Sequence, residues 1–343
     1  MNNFIVGVDL AKDVIQVCIF KGKKLQSNKE MTPSNFMEWL INSQPSTVVF
    51  EACGTSNYWN QQATKYGHDS RLISARLVDT VRQNQKNDKN DALAIVQAAN
   101  LPDVKFISGK NAHQQQMQSI MRLRDLAVKQ KTASKNQLIA LLLEFNIRVS
   151  NRNGGLRTAI DSALEDGENG FSVEFRNAIH RAWQQHLEIS DTIRLYDECL
   201  NKVINNTPDC RKLMSLEGVG IINAVNLYNM LACSNDCVFN SAKDAAACIG
   251  LTPIQHSSGG KTKLGSIGKN IRNSTLRSQL VTGAFTYVNQ VNRRPPKTKK
   301  DVWVKGLIER RGKKCAAVAL ANKTVRTAFS MLNNNTIYKA ELI

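Results

Sequence analysis

The sequence is poor in several residues whose absence is informative. Of its 343 residues only 6% are aromatic, 19 are glycine and 7 are proline, while 42% are hydrophobic. That composition excludes collagen-like fibres and disordered chains. The eight cysteines are scattered and no CxxC pair occurs; Cys233 and Cys237 form a CxxxC with no second His/Cys pair at ligand spacing. Reduced thiols in a cytoplasmic protein are therefore expected, rather than a structural zinc or a disulfide framework. No run reaches the roughly 18 apolar residues of a spanning helix. The apolar stretch Phe4-Ile5-Val6-Gly7-Val8 is cut short by Asp9 and Lys12, too soon for a signal segment. Acid is scarce as well: 28 Asp+Glu stand against 46 Lys+Arg, a formal charge of +18.

Such an excess asks for a polyanion, with nucleic acid as the first candidate and an acidic membrane surface as its rival. The charge is localised. Between His256 and Ser330 lie 17 Lys/Arg and only two acids, Asp301 and Glu309, so this stretch carries +15 of the total. One sign persists over 75 residues interleaved with apolar helical segments, the pattern of a folded nucleic-acid surface. Lys261, Lys263, Lys269, Arg272, Arg277, Arg293, Arg294, Lys297, Lys299, Lys300, Arg310, Arg311, Lys313 and Lys314 are its candidate phosphate contacts.

Three regions separate by pattern, and the length suits two or three domains with their own cores. Residues 1–107 read as a mixed α/β domain of order ββ(β)αβαβα: strands over Phe4–Asp9, Val14–Phe20, Thr47–Phe50 and Ser70–Ile73, helices over Ser34–Asn42, Asn57–Tyr66 and Asp88–Asn100. Residues 108–206 change period. Phe175, Ile179, Ala182, His186, Ile189, Ile193, Tyr196, Leu200 and Val203 recur at spacings of 4 and 3, a heptad seam. Its expected partner is a helix around Gln114–Phe145 with Met117, Ile120, Leu123, Ala127, Leu138 and Leu141 inward, joined through a Gly-rich polar linker over Asn151–Gly170. His186 sits on the seam as a packing residue. Residues 207–343 open with Leu216-Glu-Gly218-Val-Gly220, similar to a helix-hairpin-helix turn whose glycines let backbone N–H groups approach a phosphate; an ordinary glycine turn is the alternative. A helix near Ala242–Ile249 and basic helices over 265–292 and 302–332 follow.

Asp9 and Glu51 each close an apolar strand, and so stand at the rim of a sheet. Asp88 and Asp91, at i and i+3 of one helix, project from one face. Four such carboxylates can surround hard divalent cations such as Mg²⁺, and two ions about 3.5–4 Å apart would clamp both oxygens of a phosphoryl displacement. The bland reading is that Asp88 and Asp91 answer the helix dipole and the other two are surface strand ends. A sugar-kinase-like nucleotide site is disfavoured, because Leu10-Ala11-Lys12 supplies no glycine after Asp9. His256-Ser257-Ser258-Gly259-Gly260-Lys261 is a small, flexible, basic-flanked loop. Its serines either hydrogen-bond locally or offer a hydroxyl nucleophile, and His256 is a weak candidate for the base.

Gly7-Val-Asp9-Leu-Ala-Lys12, Phe50-Glu51-Ala-Cys-Gly54-Thr55, Asn87-Asp88-Lys-Asn-Asp91-Ala92, Leu216-Glu-Gly-Val-Gly220 and Gly250-Leu-Thr-Pro253 with Ser257-Ser258-Gly259 together resemble the DEDD transposases of bacterial insertion sequences. The resemblance is to the family numbered one hundred and ten, with its eleven-eleven subgroup and the Piv-type invertases, and it spans nearly the whole chain. It implies an N-terminal RNase H-like (RuvC-like) domain, a helical coiled-coil region and a mainly helical C-terminal transposase domain. It places the metal-binding tetrad on Asp9, Glu51, Asp88 and Asp91, where the carboxylates are expected to hold about two Mg²⁺, and the nucleophile on Ser258, with Ser257 as its neighbour. It further implies a serine recombinase acting on double-stranded donor and target DNA and guided by a structured non-coding RNA. A nucleoid-associated homo-oligomer, dimer to tetramer, built partly through the heptad helices, completes the expectation. Two other readings stay open: a metal-dependent junction-resolvase-like nuclease without a covalent intermediate, and a non-enzymatic architectural protein whose acids are structural.

Overall fold

The computed structural model describes residues 4–107, 109–150, 155–232, 239–268 and 274–343. The described chain forms two compact units, residues 1–115 with 227–343, and residues 116–226.

The first unit opens on a hairpin and its third strand, β1 (Phe4–Leu10), β2 (Ile15–Lys21) and β3 (Lys24–Met31), followed by α1 (Pro33–Asn42), β4 (Thr47–Glu51), α2 (Ser56–Lys65), β5 (Asp69–Ile73), α3 (Ala75–Val81) and α4 (Asp88–Ala99). The strands make one mixed sheet of order β3-β2-β1-β4-β5, antiparallel on the hairpin side and parallel from β1 through β4 to β5. This arrangement is consistent with an RNase H-like domain. Strand alternation divides the core. Val6, Val8, Val48 and Phe50 face Phe36 and Leu40 of α1 and Trp59 and Ala63 of α2. Val49 and Ile73 face Val78 of α3 and Ala94, Ile95 and Ala98 of α4. Seven residues are too few to show a helical period, and α3 was missing from the sequence pattern for that reason.

By the same alternation Gly7 and Asp9, and Val49 and Glu51, point to the α4 side. Gly7 is required there by distance: a Cβ on it would lie 2.4 Å from the Ala92 carbonyl oxygen and 2.7 Å from Val96 Cγ2. The missing side chain lets α4 lie directly on β1. The first turn of α4 is moored as well. Asn87 caps it through the Asn90 N–H, and Asn28 Nδ2 of β3 donates to the Lys89 carbonyl at 2.9 Å while accepting from Gln16 Nε2.

In the second unit α5 (Ala112–Glu144) and α7 (Val173–Asn205) run antiparallel, joined by Arg124 to Asp197 and by Ser134 to His186 at 2.7 Å. Leu138 and Leu142 pack on Ile179 and Trp183. The expected seam on α7 is buried or half-buried throughout. On α5 Leu123 is exposed, contrary to expectation, and Met121 is buried in its place. Residues 155–165, expected in the polar linker, form α6 (Gly155–Glu165); Leu156, Ile160 and Ala163 are its buried stripe, obscured in the sequence by the surrounding Gly and Asn. The unit closes with α8 (Pro208–Lys212), a 3₁₀ turn and the start of α9 (Ile221–Leu231).

The first unit then resumes with α10 (Ala242–Cys248), β6 (Pro253–Ser258), β7 (Lys261–Ile267), α11 (Ser274–Arg293) and α12 (Lys299–Asn333), the last broken at Gly312. The supposed flexible serine loop is thus a two-stranded hairpin. Residues 265–267, expected to open a helix, are instead the end of β7: Gly265-Ser266-Ile267 offers no apolar stripe to bury. The corner between α11 and α12 is pinned by fully buried Asp301, which accepts from Tyr287 Oη (2.7 Å), Arg294 Nη1 (2.8 Å) and the Lys297 N–H (2.8 Å). Burial works to raise the Asp301 pKa, but these bonds outweigh it and hold the carboxyl below its usual range.

Candidate active site

The four sequence-predicted carboxylates come together. Asp9 from the end of β1, Glu51 from the end of β4 and Asp88 and Asp91 from the first turn of α4 line one cleft of about 520 Å³, with Arg76, Asp79, Arg82 and Lys86 around them. The parity of β1 and β4 aims two of the acids toward α4, and the close seat of α4 on Gly7 brings the other two over the same sheet edge. Asp91 is 8% exposed and is held by Arg82, whose Nη1 donates to Oδ1 at 2.9 Å.

Burial raises the Asp9 pKa, helped by repulsion from Asp91 and Asp88. Glu51 is raised in the same way, by burial and then by Asp9 and Asp91, with Lys86 and Arg82 opposing. Gathering like charges in a half-buried cleft is unfavourable without a cation. The donor set is entirely hard carboxylate oxygen, suited to Mg²⁺ with water and phosphate completing its shell. Among the described residues, no three His, Cys, Asp or Glu side chains are drawn closely enough to hold an ion as they stand, and Arg82 engages Asp91. The chemistry of the donor set, four hard carboxylates on one cleft, fits a divalent cation.

Sequence reasoning missed Arg76, Arg82 and Lys86. Ser74 at a capping position before Ala75, together with three cations ahead of the Asp88/Asp91 pair, was the available signal.

Ser258 stands elsewhere, exposed at the tip of β6, and is not among the residues lining the acidic cleft. Gly259 (φ 54°) and Gly260 (φ 75°) make a two-residue turn with both residues left-handed, the geometry that joins twisted strands tightly and that glycine adopts without strain. The register pairs His256 with Lys263, Ser257 with Thr262 and Ser258 with Lys261. Cross-strand partners share a face, so Ser258 lies with His256, Lys261 and Lys263, whereas Ser257 lies with Thr262 on the other.

The basic candidates divide. Lys261, Lys263, Arg293, Lys297, Arg310, Arg311, Lys313 and Lys314 are exposed. Lys299 pairs with Glu341, Lys300 lies 4.2 Å from the Tyr338 ring centroid, and Arg294 holds Asp301. Arg277 is turned inward: Nε donates to the Gly250 carbonyl before β6 at 3.1 Å, and its guanidinium fills the space over Gly268 just after β7. It ties the two ends of the serine hairpin together. Gly218 and Gly220 form the turn into α9, with Asn223 Nδ2 donating to the Gly218 carbonyl. Lys269, Arg272, Cys233 and Cys237 lie outside the described residues. Among the described residues no helix is long and apolar enough to cross a membrane.

Two family profiles match the chain in order. A transposase profile of the DEDD type from IS110 covers residues 6–147, and that of the transposases of the IS116/IS110/IS902 family covers residues 210–300. The transposase for insertion sequence element IS1111A of Coxiella burnetii is 32% identical over 98% of this chain and 91% of its own length. A probable family 20 transposase of Pseudomonas aeruginosa is 29% identical over 99% of both chains. The pilin gene-inverting protein of Moraxella bovis is more distant, 23% identical over 76% of this chain and 75% of its own length. The carboxylate cleft falls within the first matched segment and the serine hairpin within the second, and with a relative of this identity along nearly its whole length the chain belongs to the IS110/IS1111 family of transposases.

Proposed function

We propose that this transposase is an RNA-guided serine recombinase that cuts and rejoins donor and target DNA in the bacterial cytoplasm, through a covalent phosphoserine at Ser258. The convergence of Asp9, Glu51, Asp88 and Asp91 on one cleft, with cationic neighbours, carries the reading. A divalent cation, Mg²⁺ by the family's chemistry and two by the number of carboxylates, supplies Lewis-acid polarisation of the scissile phosphate when bound. These four side chains would hold it. Ser258 Oγ attacks phosphorus and loses its proton; the bond to the departing strand breaks, and that strand leaves as a hydroxyl after taking up a proton. Attack on the phosphoserine by a hydroxyl of the second DNA reverses the exchange and conserves the bond. Ser258 is favoured over Ser257 because its strand face carries His256, Lys261 and Lys263, groups that attract a phosphate.

Residues 1–107 are assigned to metal holding, 108–206 to a helical coiled-coil region and 207–343 to serine presentation and backbone contact. Guidance by RNA is supported by the exposed lysines and arginines, which suit backbone-shape reading of a duplex whose sequence is chosen by pairing. Association into a dimer to tetramer is supported by the exposed Leu123, Leu126 and Leu195 on α5 and α7.

One observation favours a second reading, a metal-dependent nuclease in which water attacks: Ser258 does not line the cleft. A denaturing gel separates the two. With guide RNA, donor and target DNA, the wild type gives a protein–DNA adduct, and Ser258→Ala and Asp9→Ala each lower recombination by at least about 1,000-fold. Adduct or recombination persisting in Ser258→Ala removes the nucleophile assignment. Cleavage with no adduct in the wild type establishes the nuclease.

A further inference from the structure

We propose that Arg82 is an exchangeable counter-ion of the carboxylate cleft, occupying Asp91 in the cation-free protein and yielding it when a divalent cation binds. The inference rests on the reading of Asp9, Glu51, Asp88 and Asp91 as cation ligands. Arg82 closes α3, its N–H donating to the Val78 carbonyl at 2.9 Å. Its guanidinium then spans two acids of different standing. Nη1 donates to Asp91 Oδ1 at 2.9 Å, inside the cleft where Asp91 is nearly buried, and Nη2 donates to Asp79, whose side chain is 66% exposed.

A guanidinium and a cation cannot share the same carboxylate lone pair. While Arg82 donates to Asp91 Oδ1 that oxygen is occupied, and the guanidinium's positive charge beside the carboxylate opposes a second cation there. Asp79 lies outside the tetrad, so Arg82 keeps one partner when it lets go of the other. The exchange is a swing about that anchor and leaves no stranded charge. Released, the guanidinium stays at a cleft wall that also carries Arg76 and Lys86, where it can attract a phosphate. Arg82 is thus a positioning residue acting through Asp91. Asp91 Oδ1 holds either the arginine or the cation, and a phosphate that engages Arg82 favours the cation by linkage.

The test is Mn²⁺ binding to the full chain without nucleic acid, read from the electron paramagnetic resonance of free Mn²⁺, with circular dichroism as the folding control. Arg82→Gln should bind Mn²⁺ about tenfold more tightly than the wild type, since no competing fork remains on Asp91. Arg82→Lys keeps the charge but loses the planar fork, and should bind about threefold more tightly. If neither variant binds more tightly, or if the lysine variant equals the wild type while the glutamine variant gains, the direct Arg82–Asp91 exchange is wrong. If neither wild type nor variants take up Mn²⁺ at all, the cation reading of the tetrad falls with it.

Discussion

The acidic cleft and the serine hairpin place their functional groups by opposite means. The cleft is fixed by the core. Asp9, next to last in β1, and Glu51, last in β4, follow the fully buried Val8 and Phe50, and α4 is seated on β1 at a glycine where a single methyl would collide with backbone. The hairpin has almost no core of its own. Of β6 and β7 only Ile254 is even half-buried, and Ser258 is aimed by a glycine turn at one end and by Arg277 at the other. A carboxylate set that binds a cation gains from rigid preorganisation. On the proposed covalent mechanism, a nucleophile that must meet a phosphate, stay bonded to it and then release it gains from a projecting strand pair whose base is anchored and whose tip is free of packing.

That contrast can be broken at three places, in decreasing order of effect on stability. Asp301 anchors the helices behind the hairpin, and Asp301→Ala should lower the unfolding free energy by about 3–5 kcal/mol in denaturant titration, because Arg294 and Tyr287 lose a buried acceptor. The folded-state pKa of Asp301 is depressed, so its contribution is present above the ordinary carboxylate pKa and is lost as pH falls through the lower folded value. Acid unfolding of the wild type should show that loss, and the Asp301→Ala variant should lack it. Gly7→Ala should cost about 2 kcal/mol, since α4 must retreat from β1. Divalent-cation affinity should fall with it, the two moving together because one contact sets both. Arg277→Ala should change stability by no more than about 1 kcal/mol and yet lower recombination about tenfold. A full restoration of that activity in Arg277→Lys would show that charge, and not the clasp across Gly250 and Gly268, was the useful property.

Much of the cleft was legible because strand and helix periods are local. Asp9 after an apolar run and the i, i+3 spacing of Asp88 and Asp91 needed only alternation and the helical repeat to be placed on faces. The cations around them were not legible. Arg82 matters because α3 ends where it does, and seven residues give no measurable period. In the basic stretch, counting charges treated Arg277, Arg294 and Lys314 alike. One clasps a hairpin, one neutralises a buried aspartate and one is exposed, and composition cannot separate them because partner choice depends on residues distant in the chain. The serine loop was read as flexible for a related reason: Gly259-Gly260 signals a turn, while the strands on either side are polar and exposed and lack the apolar alternation that marks a sheet.

By itself the sequence carried the charge excess that calls for a polyanion, the order of elements up to α4 apart from α3, the four carboxylates and the serine motif, because charge, alternation and short motifs are properties of the chain alone. The tertiary structure decided which groups meet. It seated α4 on Gly7 so that three separate elements share one cleft, put Ser258 on the face with His256, Lys261 and Lys263, and handed Asp91 to Arg82. Those outcomes depend on packing distance and strand register, which arise only when remote segments compete for the same few ångströms.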